Sequence, residues 1–371
     1  MVYLDNAATS FPKPDCIIRD LNFCLRKYCG NPGRSGHALS IEAGERIYEV
    51  RELVADFLNY ENPECVVFTY NATYALNLAI KTKITKKCHI IISDAEHNAV
   101  LRPIESLKEK LGVEYSVFKS SGDIRASIES AIRDDTECIV STLQSNVTGR
   151  KIPLDILSDV AKRHGLYLIV DASQIIGHEK IDLKKTPCDV LCAPGHKALF
   201  GIQGCGFAVF KSKERLSSFI EGGSGSESKM LYMPLQLPEG YEAGTLSTPA
   251  IITLGSGIRY IGGIGLECIQ SRCSSLAQRV KTTLDIPKRI RLYDSFGSIV
   301  LFNIIGKDSD TVTQMLNKEG ICVRGGLHCA PMAHKLLSTE DSGAVRVSLS
   351  YLNSERDIDI FGKTIRKLLA E

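Results

Sequence analysis

Thirteen cysteines are present, yet no two stand in a C-x-x-C pair, and their number is odd. A zinc site or a disulfide framework is therefore not expected, and a reducing cytoplasm suits the chain better. An excess of charge is missing too, with 45 basic against 43 acidic residues. That balance argues against a general nucleic-acid or membrane surface. Long apolar runs are absent: "HIIIS" and "LYLIV" are strand-sized, so no segment is expected to span a bilayer. The start, "MVYLDNAATS", has no basic region followed by an apolar core and is not expected to be a secretory signal. There is no internal repeat and no low-complexity linker.

What is present is continuous patterning over 371 residues, enough for about two domains and a sizeable core. Residues 40–59 place Ala43, Ile47, Val50, Val54 and Phe57 on one helical face, with Ser40 as the expected cap. Strand-like and helix-like runs then alternate: "CVVFTY" before "NATYALNLAIKTK", "HIIIS" before "NAVLRPIESLKEKLG", and "ECIVSTL", "LDILSDVAKRHG" and "LYLIVDAS" in turn. Continuously apolar strands separated by helices predict an α/β fold with a mainly parallel sheet covered on both faces. After about residue 255 the pattern changes. "SIVLFNII", "SDTVTQMLNKEG", "ICVRGG", "AVRVSLSYL" and a helix near 354–370 read as a smaller α+β domain.

Four local signals carry chemistry. In "APGHKALFGIQGCG", Lys197 follows Pro-Gly-His in a glycine-rich turn between apolar strands. A buried amine there has a lowered pKa and can form a Schiff base, although a surface loop lysine would look alike. Asp171 ends "LYLIVD", where a parallel sheet places its ligands; it can pair with a buried cation such as a protonated pyridine, or cap a turn. "TYNATYALN" delivers Asn71, Ala72 and Thr73 to a helix start, which favours an anion such as phosphate. His97 follows another strand; taken alone it could equally be structural. Amine, carboxylate, phosphate cradle and a flat ring partner are together what pyridoxal phosphate needs.

The ordered motifs "LDNAATS", "NATYALN", "EHNA", "SNVTG", "VDASQ", "GHK", "EAGT", "LHCAP" and "VRVSLSYLN" run through nearly the whole chain. In that order they resemble the cysteine desulfurase family of the class-V aminotransferases, in its group with a short cysteine loop. The resemblance implies pyridoxal 5'-phosphate and the type I fold of such enzymes. A large domain over 14–255 would carry a seven-stranded-type sheet, and 1–13 with 256–371 would form the small domain. It implies Lys197 as cofactor anchor, Asp171 at the ring nitrogen, Gln174 at the ring hydroxyl and His97 stacked on the ring. Ala72, Thr73 and His196 would bind phosphate, with Thr245 reaching in from the other subunit of a homodimer. Asn146 and Arg346 would hold the substrate carboxylate, Arg suiting this by its bidentate fork.

Cys329 would be the nucleophile that takes sulfur from L-cysteine as a persulfide and leaves L-alanine, for delivery to an acceptor protein. Without the resemblance, Cys329 could be one more buried strand-end residue. His328 and Arg324 beside it are expected to favour the reactive thiolate. Selenocysteine lyase, with L-selenocysteine as substrate, has the same chemistry and stays open. An aminotransferase or racemase of the same fold would need no cysteine at 329, and a non-catalytic cofactor-binding protein would not need Lys197 and Asp171 intact. Two positions depart from the family pattern: Pro194 replaces a hydroxyl residue expected to donate to phosphate, and Ile202 stands where proline is common.

Overall fold

The computed structural model describes residues 1–33 and 36–370. In chain order the strands are β1 (Val2–Tyr3), β2 (Val66–Thr69), β3 (His89–Ser93), β4 (Glu114–Phe118), β5 (Thr136–Thr142), β6 (Tyr167–Asp171), β7 (Val190–Pro194), β8 (Gly206–Phe210), β9 (Ile290–Tyr293), β10 (Ile299–Ile304), β11 (Ile321–Cys322) and β12 (Val345–Ser348). The helices are α1 (Asp15–Lys27), α2 (Ala38–Phe57), α3 (Ala72–Lys83), α4 (Asn98–Leu111), α5 (Ile124–Glu129), α6 (Leu154–His164), α7 (Thr248–Ile264), α8 (Leu266–Leu284), α9 (Ser309–Lys318), α10 (Pro331–Leu336) and α11 (Glu355–Ala370).

Seven strands form the central sheet in the order β2-β8-β7-β6-β5-β3-β4. All run parallel except β8, which is antiparallel to both β2 and β7. The apolar runs become strands because both faces are covered. Every residue of β3 is buried. Ile91 joins the core beneath α1, α2, α6 and α7, whereas Ile90 and Ile92 join the core beneath α3 and α4. Side chains alternate across a strand, so a strand that feeds two cores has no polar face. The helices α4 and α6 stop at Gly112 and Gly165, both at positive φ, where a residue without Cβ is unstrained.

A third core gathers Val2, Leu4, Val280, Phe302, Val345 and Phe361 around the antiparallel sheet β12-β10-β9. The N-terminus belongs to this core through the parallel pair β1–β11. Helix α7 packs on α1 and α2. The expected cap of α2 is corrected. His37 caps it, its Nδ1 accepting from the Ser40 N–H at 3.2 Å, while the Ser40 hydroxyl donates to the Asn31 carbonyl at 2.7 Å. An imidazole lone pair serves the first turn as a hydroxyl would, so the helix starts earlier than Ser40. Among the described residues no helix is long and apolar enough to cross a membrane.

Candidate active site

The carboxyl ends of β2, β3, β5, β6 and β7 open on one cavity of about 220 Å³. At the end of β2, Asn71 caps α3, its Oδ1 accepting from the Tyr74 N–H at 2.9 Å. The N–H groups of Ala72 and Thr73 have no intrahelical acceptor, and both residues line the cavity. Gly206 on β8 makes this approach possible, since a Cβ there would lie 2.5 Å from the Asn71 backbone carbon. At the end of β3, His97 caps α4 through Nδ1, 3.0 Å from the Ala99 N–H. Burial, helped by Lys197, Arg324 and Arg346 and opposed by Asp171, pushes its pKa down to about 4. The ring is therefore neutral, with its proton on Nε2.

Asp171 ends β6 and is buried, its Oδ1 accepting from the Ser173 N–H at 2.8 Å. Beneath His97, the wholly buried Glu96 accepts from the Thr142 N–H at 2.8 Å and from the Ser93 hydroxyl. Burial lifts its pKa to about 8, so at neutral pH it adds no second full negative charge near Asp171.

After β7 the chain turns through Gly195 to His196 and Lys197. The turn is closed by the Gly201 N–H on the Gly195 carbonyl and the Phe200 N–H on the Lys197 carbonyl, both at 2.9 Å. Desolvation lowers the Lys197 ammonium to about 8, against the pull of Asp171 and with the push of Arg346 and Arg324. The N-terminal segment clamps the turn from outside. Thr9 Oγ1 and Lys13 Nζ reach the His196 carbonyl at 3.1 and 3.0 Å, and the Ser10 N–H reaches it at 3.2 Å.

On the opposite wall, buried Arg346 pairs through Nη2 with Asp5 at 2.8 Å and donates from Nη1 to the Asn146 carbonyl at 2.8 Å. Its Nε and the Oδ1 of Asn146 are buried without a partner among the described residues, and both residues line the cavity. Two orphaned groups there, one donor and one acceptor, fit a polar ligand that carries both kinds of atom. The free atom of Asn146 suits an N–H or O–H. The amide nitrogen of Asn146, expected to help hold a carboxylate, donates to the His328 carbonyl at 2.7 Å, so the unpaired donor on this wall is Arg346 Nε.

Ala72, Thr73, His97, Asn146, Asp171, Gln174, His196, Lys197 and Arg346 thus come together around one space. Two expected residues do not line it. Thr245 is exposed, beside a separate hollow shared with Tyr74 and Tyr241. Cys329 is exposed in the turn after β11; its carbonyl accepts from the Asn98 N–H at 2.7 Å, and Arg324 Nη2 stands 3.6 Å from its Sγ. Arg324 also lines the cavity and so links Cys329 to it. His328 does not act on Cys329 as expected. It is buried, with its ring nitrogens on His334 and on the Arg324 carbonyl. Asp5, which lies inside "LDNAATS" and holds Arg346, and Gln144 of the lining were not singled out from sequence.

A family model described as aminotransferase class-V matches residues 2–361. The chain belongs to the class-V aminotransferases. Among known proteins, a probable cysteine desulfurase of Methanothermobacter thermautotrophicus is 32% identical over 99% of this chain and 94% of its own length. Another, from Pyrococcus abyssi, is 31% identical over 100% of this chain and 94% of its own. A solved structure, the apo form of a cysteine desulfurase from Thermococcus onnurineus, matches with a TM-score of 0.92 at 30% identity, covering 100% of this chain and 94% of that one. In this class-V aminotransferase, Pro194 lines the cavity and offers no hydroxyl. Ile202 donates its N–H to Thr253 Oγ1 at 3.1 Å, a bond that proline could not make.

Proposed function

We propose that this class-V aminotransferase is a pyridoxal 5'-phosphate-dependent cysteine desulfurase. It converts L-cysteine to L-alanine and hands the sulfur, as a persulfide on Cys329, to an acceptor protein. The observation that carries the reading is the convergence of Lys197, Asp171, His97 and the α3 N-terminus on one cavity, with Cys329 beside its Arg324. Bound pyridoxal phosphate would supply an aldehyde for the substrate amine and a ring able to spread a carbanion's charge.

The protein's own groups do the rest. Lys197 offers a lysine amine with a lowered pKa as anchor. Asp171 offers a buried carboxylate for the ring nitrogen, and Gln174 its amide for the ring hydroxyl. The free N–H groups of Ala72 and Thr73, with His196, would receive the phosphate. Neutral His97 offers a flat face and an exchangeable proton at Nε2. Arg346 holds the substrate carboxylate, and Asn146 offers its unpaired acceptor. Sulfur transfer falls to Cys329. Its thiolate attacks the substrate sulfur, the S–S bond forms, the C–S bond breaks with its electron pair on carbon, and protonation of that carbon gives alanine.

We also infer a homodimer in which Thr245 completes the partner's site; its exposed position away from its own cavity supports this. The thirteen free cysteines support a reducing, cytoplasmic setting. The division into a large unit at 14–255 and a small unit of 1–13 with 256–371 is supported by the β1–β11 pair and the separate core around β12-β10-β9.

Mass spectrometry of the protein after one turnover with cysteine and no reductant tests the function. Added sulfur is expected on the peptide containing Cys329 and none in Cys329→Ala, which should still bind the cofactor. Sulfur on another cysteine, or full desulfurase activity in Cys329→Ala, would refute it. Running selenocysteine beside cysteine measures which chalcogen is preferred.

A further inference from the structure

The motif around Cys329 ends in a second histidine that the chemistry above does not use. His328 and His334 are both buried, with ring centroids 5.2 Å apart and planes 15° apart. His328 Nδ1 lies 3.0 Å from His334 Nε2, and His328 Nε2 lies 3.2 Å from the Arg324 carbonyl. His334 Nδ1 lies 2.8 Å from the Thr339 hydroxyl.

The hydrogens of this chain can be assigned. A carbonyl only accepts, so His328 Nε2 carries a hydrogen. Burial, reinforced by Arg346, keeps His328 neutral, and its Nδ1 therefore presents a lone pair. His334 must then donate from Nε2. It too is disfavoured as a cation by burial, against the pull of Glu340, so its Nδ1 accepts from Thr339. The bonds run in one direction, from Thr339 to the Arg324 carbonyl.

The end of that chain is the turn bearing the reactive sulfur. His328 and Cys329 both have left-handed backbones, φ 52° and 56°, which residues other than glycine seldom adopt in succession. The turn must therefore be held from outside. Asn146 Nδ2 grips the His328 carbonyl at 2.7 Å, the Asn98 N–H grips the Cys329 carbonyl, and the His328 ring ties the turn to Arg324. Arg324 is also the residue whose guanidinium faces Cys329 Sγ.

We propose that His334 is a positioning residue for Cys329. By donating from Nε2 it fixes His328 in the Nε2–H form, and the resulting bond to the Arg324 carbonyl holds the turn that sets Sγ beside the Arg324 guanidinium. This rests on the reading of Cys329 as the nucleophile.

Two substitutions separate the donor from the bulk. His334→Gln puts an amide nitrogen near the place of Nε2 and can still donate to His328. His334→Asn reaches only the place of Nδ1, so it keeps a partner for Thr339 and loses the donor. The holoenzymes are compared by the rate of iodoacetamide alkylation at Cys329, read on its peptide, and by kcat and KM for alanine formation. In His334→Asn, alkylation and kcat should fall about tenfold, the scale of one charge-assisted contact at sulfur, with cofactor content unchanged and KM within about twofold. His334→Gln should stay within about twofold of wild type on every measure.

Equal behaviour of His334→Asn and wild type would overturn the proposal. So would equal impairment of both variants, since volume rather than donation would then matter. Should His334→Asn fail to fold, Thr339→Val is measured instead. It strips the first donor of the chain, and a loss of about threefold is expected, while no loss overturns the proposal. If Cys329 gains no sulfur in wild-type turnover, the nucleophile reading fails, and the alkylation contrast still judges His334. If Cys329 gains sulfur and the variants do not differ, only the role of His334 fails.

Discussion

Replacing Lys197 by methionine should make the cofactor-free protein more stable at neutral pH. Methionine follows the lysine stem as far as Cε, with sulfur in place of one methylene, so the substitution takes away the amine and its charge. Desolvation lowers the ammonium from 10.5 to about 8. At about 1.36 kcal/mol per pKa unit, that drop corresponds to roughly 3 kcal/mol of folding free energy spent on holding the charged form indoors. Lys197 is only half-buried against its cavity, and water there trims the figure to about 1–3 kcal/mol. The sign follows from proton binding. Between pH 8 and 10.5 the unfolded chain binds a proton that the folded chain has released, so wild-type stability rises with pH across that window. The penalty is full below pH 8 and gone above 10.5. Urea titrations of both cofactor-free proteins should show Lys197→Met ahead by about 1–3 kcal/mol at pH 7, with the gap closing towards pH 10.5. A variant less stable than wild type at pH 7, or a gap that ignores pH, would refute the reasoning. The amine would then be solvated in the folded state, and its readiness as a nucleophile would need another cause.

Competitive labelling of Lys197 should show an inflection near pH 8 in wild type, a lower one in Asp171→Asn and a higher one in Arg346→Met, because Asp171 raises and Arg346 lowers it. Asp171→Asn should also cut turnover by about a hundredfold or more, measured as alanine formed per cofactor bound. Arg346→Lys keeps the charge and loses the fork that spans Asp5 and the Asn146 carbonyl, so KM for cysteine should rise more than about tenfold while cofactor content holds. Arg51→Met leaves Glu242 buried without its bidentate partner, now at 2.8 and 2.9 Å, and should cost about 3–5 kcal/mol in urea titrations.

Much of this architecture can be read from local pattern. "HIIIS" and "LYLIV" mark strands because continuous apolar character serves two cores at once. The edge strand β4, "EYSVF", escapes that test because it is half-exposed and lacks a continuous apolar run. Helix α1 escapes because only Ile17 and Cys24 among its residues are buried, too few to mark a core-facing helix. The residues at strand ends, Asp171, His97 and Lys197, stand out because a parallel sheet aims its carboxyl ends at its ligand. Asp5 does not stand out. Its partner lies 341 positions away, and no periodicity reports a contact of that span. His328 was legible as a neighbour of Cys329 but not as a member of the His334 chain, because a turn with two left-handed residues reverses where a side chain points.

The pairing of Asp5 with Arg346 also bears on how the protein is made. Bringing residues 341 positions apart together costs a flexible chain about 5 kcal/mol of closure entropy, which only the docked β1–β11 pair and its core can offset. On a ribosome, the seven strands of the central sheet emerge well before residues 321–348. A nascent chain can therefore complete its sheet, and even hold Lys197 and Asp171 in place, while the wall that carries Arg346 and Arg324 is still unmade. Asp5 thus waits for a partner made 341 positions later. Chain connectivity thus keeps the cavity open on that side in the half-built protein.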